Sequence, residues 1–145
     1  MSNPKIGLLP LYVALYDETS PKRRVWLEGF YQQICMELRF RGIDVVEADT
    51  CRIKPEFEKA VADFEAADVD AIVTLHLAYS PSLESSDVLK NTRLPIIVLD
   101  TTPHYEFDYT ISSDKVGANH GIHGVQDMCN LLIRNGKDFQ IFAGH

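Results

Sequence analysis

Two stretches of the chain, D-A-I-V-T-L-H-L at Asp70–Leu77 and P-I-I-V-L-D at Pro95–Asp100, are apolar almost throughout. A strand of a sheet that faces water on one side alternates apolar and polar residues. A strand of a parallel sheet, covered by helices on both faces, instead forms a continuous apolar run. The two stretches therefore predict neighbouring strands of a buried parallel sheet.

Three further segments have the composition of strands, and helical patterns lie between them. These strands are predicted at Lys5–Val13, Ile43–Ala48 and Phe139–Ala143. Because crossovers between parallel strands are right-handed, the alternation predicts an α/β fold with an open, doubly wound, parallel five-stranded sheet. We expect a flavodoxin-like order of 2-1-3-4-5 and three α/β/α layers.

The longest predicted helix runs from Pro21, a residue favoured at the first helical position, to about Phe40, just before Gly42. Its apolar spacing predicts an inner face made of Trp26, Phe30, Ile34 and Leu38. Other helices are predicted from Pro55, over Ser82–Lys90, and after a long loop at Thr101–Ser113.

No predicted helix follows the fifth strand, although a doubly wound domain normally buries both faces of its last strand. Residues 1–145 are predicted to form a single Rossmann-like amino-terminal domain. We expect this domain to be the front piece of a longer polypeptide, or to be covered at this edge by a partner.

Composition excludes several kinds of partner. The 145 residues carry a formal net charge of −7, which argues against nucleic acid and against an anionic membrane surface. Cys35, Cys51 and Cys129 form no C-x-x-C pair and are odd in number, so reduced thiols in a cytoplasmic protein are expected. No apolar stretch approaches the roughly 20 residues that span a bilayer.

The helix predicted after Asp114 carries two stripes at helical spacing. One is apolar and suits the core; it comprises Ala118, Ile122, Val125, Cys129 and Leu132. The other consists of amides and an imidazole, groups that suit hydrogen bonding to a polyol; it comprises Asn119, His123, Gln126 and Asn130. The second stripe could equally be an ordinary solvated face. The glycines at 117, 121 and 124 indicate a close approach by another backbone or a ligand.

Aromatic rings and imidazoles are predicted at the carboxyl ends of the strands, where open α/β sheets bind their ligands. Such side chains suit a sugar, whose faces stack on rings while its hydroxyls need hydrogen-bond partners. They are Tyr12, Tyr16, His76, Tyr79 and His145. His76 could instead be a core histidine with its hydrogen bonds satisfied.

Several chemistries lack their motifs. No G-x-G-x-x-G or Walker loop follows the first strand, and no G-x-S-x-G elbow occurs. His120 and His123 have a spacing that can hold a metal, but no acid on their helix obviously converges with them. We therefore expect no metal, no bound cofactor and no catalytic residue in this chain alone.

Short motifs in order along the chain resemble the amino-terminal domain of the L-fucose/L-arabinose isomerase family. They are P-K-I-G-L-L-P at Pro4–Pro10, D-T-C at Asp49–Cys51, L-H-L-A-Y-S-P at Leu75–Pro81, N-H-G-I-H-G at Asn119–Gly124 and A-G-H at Ala143–His145. The resemblance implies a metal-dependent aldose–ketose isomerase whose acid–base groups and Mn²⁺ ligands lie in later domains. This chain would then be inactive by itself.

The resemblance also implies residues that contribute to a neighbouring subunit's substrate site. His123 would reach the sugar and Asn119 or His120 would supply the adjacent group. Tyr79 would form an aromatic wall, and Leu11-Tyr12 the loop after the first strand. The expected partners are a monosaccharide and other subunits of a homo-oligomer. Alternatives are one lobe of a sugar-binding receptor or repressor effector domain, and an interaction domain without a ligand.

Overall fold

The computed structural model describes residues 3–106 and 108–145. Phe107, within the predicted long loop, lies outside the described residues. The elements in chain order are β1 (Lys5–Leu11), α1 (Leu15–Thr19), α2 (Pro21–Phe40), β2 (Asp44–Glu47), α3 (Lys54–Ala66), β3 (Ala71–His76), α4 (Ser82–Asn91), β4 (Ile96–Asp100), α5 (Ser113–Ala118), α6 (Gly121–Arg134) and β5 (Phe139–Ala143).

The five strands form one parallel sheet in the order β2-β1-β3-β4-β5, which confirms the predicted flavodoxin-like topology and three-layer architecture. β3 is the central strand, and all six of its residues are buried. This burial explains its unbroken apolar sequence, because helices cover it on both faces.

Each face of the sheet carries its own apolar core. On one face, α3, α4 and α6 pack over side chains that include Phe57, Phe64 and Met128. On the other face, α2 packs through Leu27, Tyr31 and Cys35. The Tyr31 hydroxyl shares its one hydrogen between the carbonyls of Leu8 and Ala48, at 3.2 and 3.0 Å. These bonds fix α2 over β1 and the end of β2.

The predicted inner face of α2 is wrong at Trp26. Phe30, Ile34 and Leu38 are half-buried against the core, but Trp26 is 47% exposed. The fully buried stripe is offset by one residue, because Tyr31 has to reach the β1 and β2 carbonyls. Trp26 is thereby left at the carboxyl end of the sheet.

The single helix predicted after Asp114 is wrong in one respect, because it is broken at Asn119 and His120. The Asn119 N–H closes α5 on the carbonyls of Lys115 and Val116, both at 3.1 Å, and the Asn119 amide Nδ2 donates to the His104 carbonyl at 3.0 Å. These contacts end the first helix and start α6 at Gly121. The short helix α1 was not predicted.

The last strand is poorly covered. Ile141 and Phe142 of β5 are 50% and 57% exposed. That the chain is part of a longer polypeptide, or is covered by a partner, stays a prediction. In the described part of the chain, no helix is both long and apolar enough to cross a membrane.

Candidate functional site

A cavity of about 430 Å³ lies at the carboxyl end of the sheet, between the start of α2 and the helix α5. α2 follows β1 and α5 follows β4, so the cavity occupies the region where open α/β sheets bind ligands. Its lining residues come from these two helices and from the residue that precedes α2, and they include basic, acidic, hydroxyl and aromatic side chains. They are Ser20, Pro21, Lys22, Arg23, Trp26, Asp114 and Ala118.

Trp26 gives the cavity an aromatic wall. One face of its indole stacks on the His104 imidazole, with ring centroids 5.2 Å apart and planes 17° from parallel. The ring is thus held in place by the loop after β4 while nearly half of the side chain stays accessible. A fixed, accessible aromatic ring is the kind of surface on which the apolar face of a sugar stacks.

Arg23 supplies hydrogen-bond donors to the same cavity. Its guanidinium lies 5.0 Å from the centroid of the Tyr16 ring and fills the space left by Gly117, whose absent Cβ would lie 2.7 Å from Nη1. Among the described residues no carboxylate forms a salt bridge with Arg23, whereas its neighbour Arg24 pairs with Asp17 at 3.3 Å. The Arg23 donors are therefore free to bind a ligand.

A second cavity, of about 550 Å³, lies beside the end of β2 and is lined mainly by charged residues. Most of these charges already form ion pairs. Arg52 pairs with Asp17 at 2.7 Å and with Glu56 at 2.6 Å, and the pairing lowers the pKa of Glu56 against the opposing effect of its burial. A ligand there would have to displace existing ion pairs, so this cavity is the weaker candidate.

Tyr12 lies beneath the edge of the sheet, fully buried, with its ring 5.9 Å from that of Tyr16 in an edge-on arrangement. Its hydroxyl has no hydrogen-bond partner within residues 3–106 and 108–145. Burial first, and then the negative charge of Asp17, raise the pKa of Tyr12 to about 12. The hydroxyl therefore stays protonated near neutral pH and can act only as a neutral hydrogen-bonding group.

His76 occupies the opposite, α6 side of the sheet and is sealed there. Gly121 and Gly124 leave the space for it, since added Cβ atoms would lie 2.7 Å from the His76 carbonyl oxygen and 2.5 Å from Cδ2 of its ring. The predicted close approach of another segment to these glycines is confirmed. Burial lowers the pKa of His76 to about 3, against a smaller effect of Asp127, so the ring is neutral.

The alternative prediction, that His76 is a core histidine with its hydrogen bonds satisfied, is only half right. The side chain is 3% exposed and belongs to the core, but neither ring nitrogen has a hydrogen-bond partner in the described part of the chain. The hydroxyls of Thr74, Ser80 and Ser82 are likewise buried without partners there. This side of β3 thus contains a polar cluster that is closed to solvent.

The structure brings three of the predicted site residues together at the junction of α5 and α6. His123 is exposed, and its ring lies 5.1 Å from that of half-buried His120, edge-on. The amide of Asn119 is turned toward His104, and its Oδ1 is buried without a partner among the described residues. His123 therefore faces solvent, and its predicted contact with a neighbouring subunit's substrate stays untested.

The other predicted site residues are dispersed. Tyr79 is half-buried in the β3–α4 loop, and Leu11 is fully buried in the core on the opposite face from Tyr12. Sequence reasoning missed Arg23 and treated Trp26 as a core residue. The available signals were the single tryptophan of the chain and the run of three basic residues, Lys22–Arg24, just after the proline that starts α2.

The arrangement offers binding groups more clearly than catalytic ones. Within residues 3–106 and 108–145, no three His, Cys, Asp or Glu side chains cluster so that they could hold a metal ion. The three cysteines are free, and burial raises the pKa of the Cys51 thiol to about 12. A thiol with so high a pKa is not a nucleophile near neutral pH.

The fold is that of a flavodoxin-like α/β domain, and a cavity lies at its carboxyl edge. No protein-family model matches the chain, and no curated protein sequence does. A solved structure with a related fold is the Escherichia coli transcriptional repressor AscG, with 16% sequence identity and a TM-score of 0.43. The match covers 98% of this chain and 59% of the repressor chain, and it concerns the fold alone.

The assignment to the L-fucose/L-arabinose isomerase family is wrong by these comparisons. No family model and no curated relative supports an isomerase. The motifs that carried the resemblance are three to seven residues long. Motifs of this length also arise from the needs of the fold: Gly121 and Gly124 of N-H-G-I-H-G accommodate His76.

Proposed function

We propose that this domain is one lobe of a binding protein for a small polyhydroxylated ligand of the monosaccharide class. The ligand would occupy the cavity between α2 and α5. The observation that carries the proposal is the pairing of an accessible, fixed indole with a guanidinium that has no acidic partner among the described residues. Both line a cavity of about 430 Å³ at the carboxyl edge of the sheet.

The chemistry of the lining matches such a ligand. Small-molecule sites are typically 300–1,000 Å³ and combine apolar walls with a few fixed polar groups. Here Trp26 provides the stacking surface. Arg23 and Lys22 are hydrogen-bond donors, and Asp114 is an acceptor for sugar hydroxyls.

A lobe, rather than a complete receptor, accounts for the accessibility of the site. Pro21, Lys22 and Asp114 are exposed, so this domain covers a ligand from one side only. A second, similar domain would close over the other side and supply the remaining hydrogen bonds. We therefore expect the isolated chain to bind its ligand weakly.

Trp26 makes the test direct, because it is the only tryptophan in the chain and its fluorescence reports on the cavity. Titration with a panel of neutral, amino and acidic monosaccharides should shift or quench this fluorescence for one group of sugars. Calorimetry should then show a loss of affinity of about tenfold or more for Trp26→Leu, equivalent to roughly 1.4 kcal/mol.

Phe40→Ala is the matched control, since Phe40 is on the same helix, 89% exposed and outside the cavity. It should leave binding unchanged. If no monosaccharide at millimolar concentration alters the fluorescence or the heat signal, the proposal fails. It also fails if Trp26→Leu binds the sugar as tightly as the natural chain does.

A further inference from the structure

The start of α2 carries an unusual set of charges for a helix. Lys22, Arg23 and Arg24 follow one another in its first turn, and no acidic residue lies there. The free N–H groups at the start of a helix carry partial positive charge, which favours anions and disfavours cations. The Ser20 hydroxyl, at the position of a capping residue, makes no capping hydrogen bond. This end of α2 therefore has an excess of positive charge.

A shortage of acids does not explain why Arg23 lacks a partner. The chain contains 21 Asp and Glu residues against 14 Lys and Arg, so acids are in excess. At the other end of the same helix, the Arg39 guanidinium donates to the Val45 carbonyl at 3.1 Å and pairs with Glu47 at 2.6 Å. Arg23 forms no such pair within residues 3–106 and 108–145.

The Arg23 guanidinium is nevertheless held between two neighbours. The Tyr16 ring lies on one side, with its centroid 5.0 Å away, and Gly117 leaves the space on the other. The side chain is half-buried, so its charge is partly shielded from water. Such shielding costs free energy unless an opposite charge compensates. The paired N–H groups of a guanidinium match the two oxygens of a carboxylate or a phosphate.

The cavity that Arg23 lines is itself more basic than acidic. Lys22 and Arg23 line it from α2, and Asp114 of α5 is the one carboxylate among its lining residues. The described residues include no salt bridge between this acid and either cation. A neutral ligand would leave both cations without a counter-charge. A ligand with an anionic group would pair with them and still offer hydroxyls to Asp114.

We propose that the ligand of this cavity is an acidic sugar, whose carboxylate or phosphate group is bound by Arg23 and Lys22. This inference rests on the proposed function and narrows its ligand from monosaccharides in general to anionic ones. The anionic group lies at the start of α2, where the Arg23 guanidinium and the Ser20 hydroxyl donate to its oxygens. The apolar face of the sugar stacks on Trp26, and Asp114 accepts hydrogen bonds from the sugar hydroxyls.

Sugars of one configuration that differ in charge at C6 test this inference. Trp26 fluorescence is titrated at low ionic strength with glucose, glucuronate and glucose 6-phosphate, and with the corresponding forms of galactose and mannose. In one of these series, an acidic sugar should bind at least tenfold more tightly than its neutral parent. The difference should shrink as added NaCl screens the charges. The carboxylate and phosphate forms show which anionic group fits.

An arginine variant assigns the preference to the cavity. Arg23→Gln should bind the acidic and neutral sugars with similar affinity. Arg134→Gln is the matched control, because Arg134 is exposed on α6, lies outside the cavity and changes the net charge equally; it should keep the preference.

The outcomes separate this inference from the proposed function. A neutral sugar that binds as tightly as its acidic forms would overturn the inference and leave the proposed function standing. A preference for the acidic forms that survives Arg23→Gln would also overturn it. If no sugar of either kind binds, the proposed function fails and the inference fails with it.

Discussion

Gly117 and Gly121 are four residues apart, and each leaves room for another part of the chain, but the two regions they serve are different. Gly121 lies against the backbone carbonyl of His76 on the sealed side of the sheet. Gly117 lies against the tip of the Arg23 side chain, beside the open cavity. A side chain at position 121 would clash with backbone that cannot move, so packing requires glycine there. A side chain at position 117 would only displace the end of a flexible arginine, so glycine there determines where that arginine lies.

The same substitution should therefore destabilise one region and leave the other folded. Gly121→Ala puts a Cβ 2.7 Å from a carbonyl oxygen that β3 holds in place. Urea unfolding should show a loss of about 1–3 kcal/mol, the usual cost of overpacking. Gly29→Ala, in α2 with nothing within 4 Å of the new Cβ, is the control and should gain about 0.5–1 kcal/mol. Equal stability of the Gly121 variant and the natural chain would show that α6 can move away from β3.

The sealed region should also govern the response of stability to acid. Burial lowers the pKa of His76 to about 3 in the folded chain, whereas an unfolded histidine titrates near 6.5. At a pH between these two pKa values, His76 is protonated in the unfolded chain but not in the folded chain. The free energy of unfolding should therefore fall, as pH drops from about 6.5 toward 3, by up to about 1.4 kcal/mol per pH unit from this group.

His76→Leu should remove that part of the slope, measured as the difference from the natural chain so that the carboxylates cancel. His123→Leu changes an exposed imidazole and is the matched control. Parallel curves for the natural chain and His76→Leu would mean that the buried ring accepts its proton in the folded state.

Beside the open cavity, the same glycine-to-alanine change should alter the affinity for a ligand rather than the stability of the fold. Gly117→Ala displaces the Arg23 guanidinium, which can swing away, so the free energy of unfolding should not fall by more than about 0.5 kcal/mol. Affinity for the sugar that shifts Trp26 fluorescence should fall severalfold, as measured by calorimetry. Normal affinity of the Gly117→Ala variant would show that Arg23 does not contribute to the binding site.

Tyr12→Phe should have the smallest effect. Its hydroxyl is buried without a partner among the described residues, so deleting it should leave stability unchanged or raise it by up to about 1 kcal/mol. Thermal and urea unfolding measure this change. A loss of more than 1 kcal/mol would mean that the hydroxyl is hydrogen-bonded in solution, for example to an ordered water.

The comparison also separates what sequence could predict from what it could not. The apolar runs of β3 and β4 determine the fold class because burial on both faces is a local signature, and the sheet order follows from chirality. The strand Phe139–Ala143 was placed with its exact ends, since turn residues bound it on both sides.

The cavity escaped prediction because it depends on contacts between distant residues. Trp26 reads as part of an apolar stripe until His104, in the loop after β4, is seen stacked on it. The break at Asn119 likewise depends on the His104 carbonyl. His76 was recognised as a core candidate, but its lack of hydrogen bonds could not be read from one strand alone.

The Arg39 side chain on the outer backbone of β2 has a consequence for aggregation. A sheet that offers a free border on both sides can add chains without end and build fibres. At the β2 border the Arg39 guanidinium already binds the Val45 carbonyl and the Glu47 carboxylate, where an added strand would otherwise pair. A strand arriving there would have to displace this side chain, so the β2 border resists the addition of further chains.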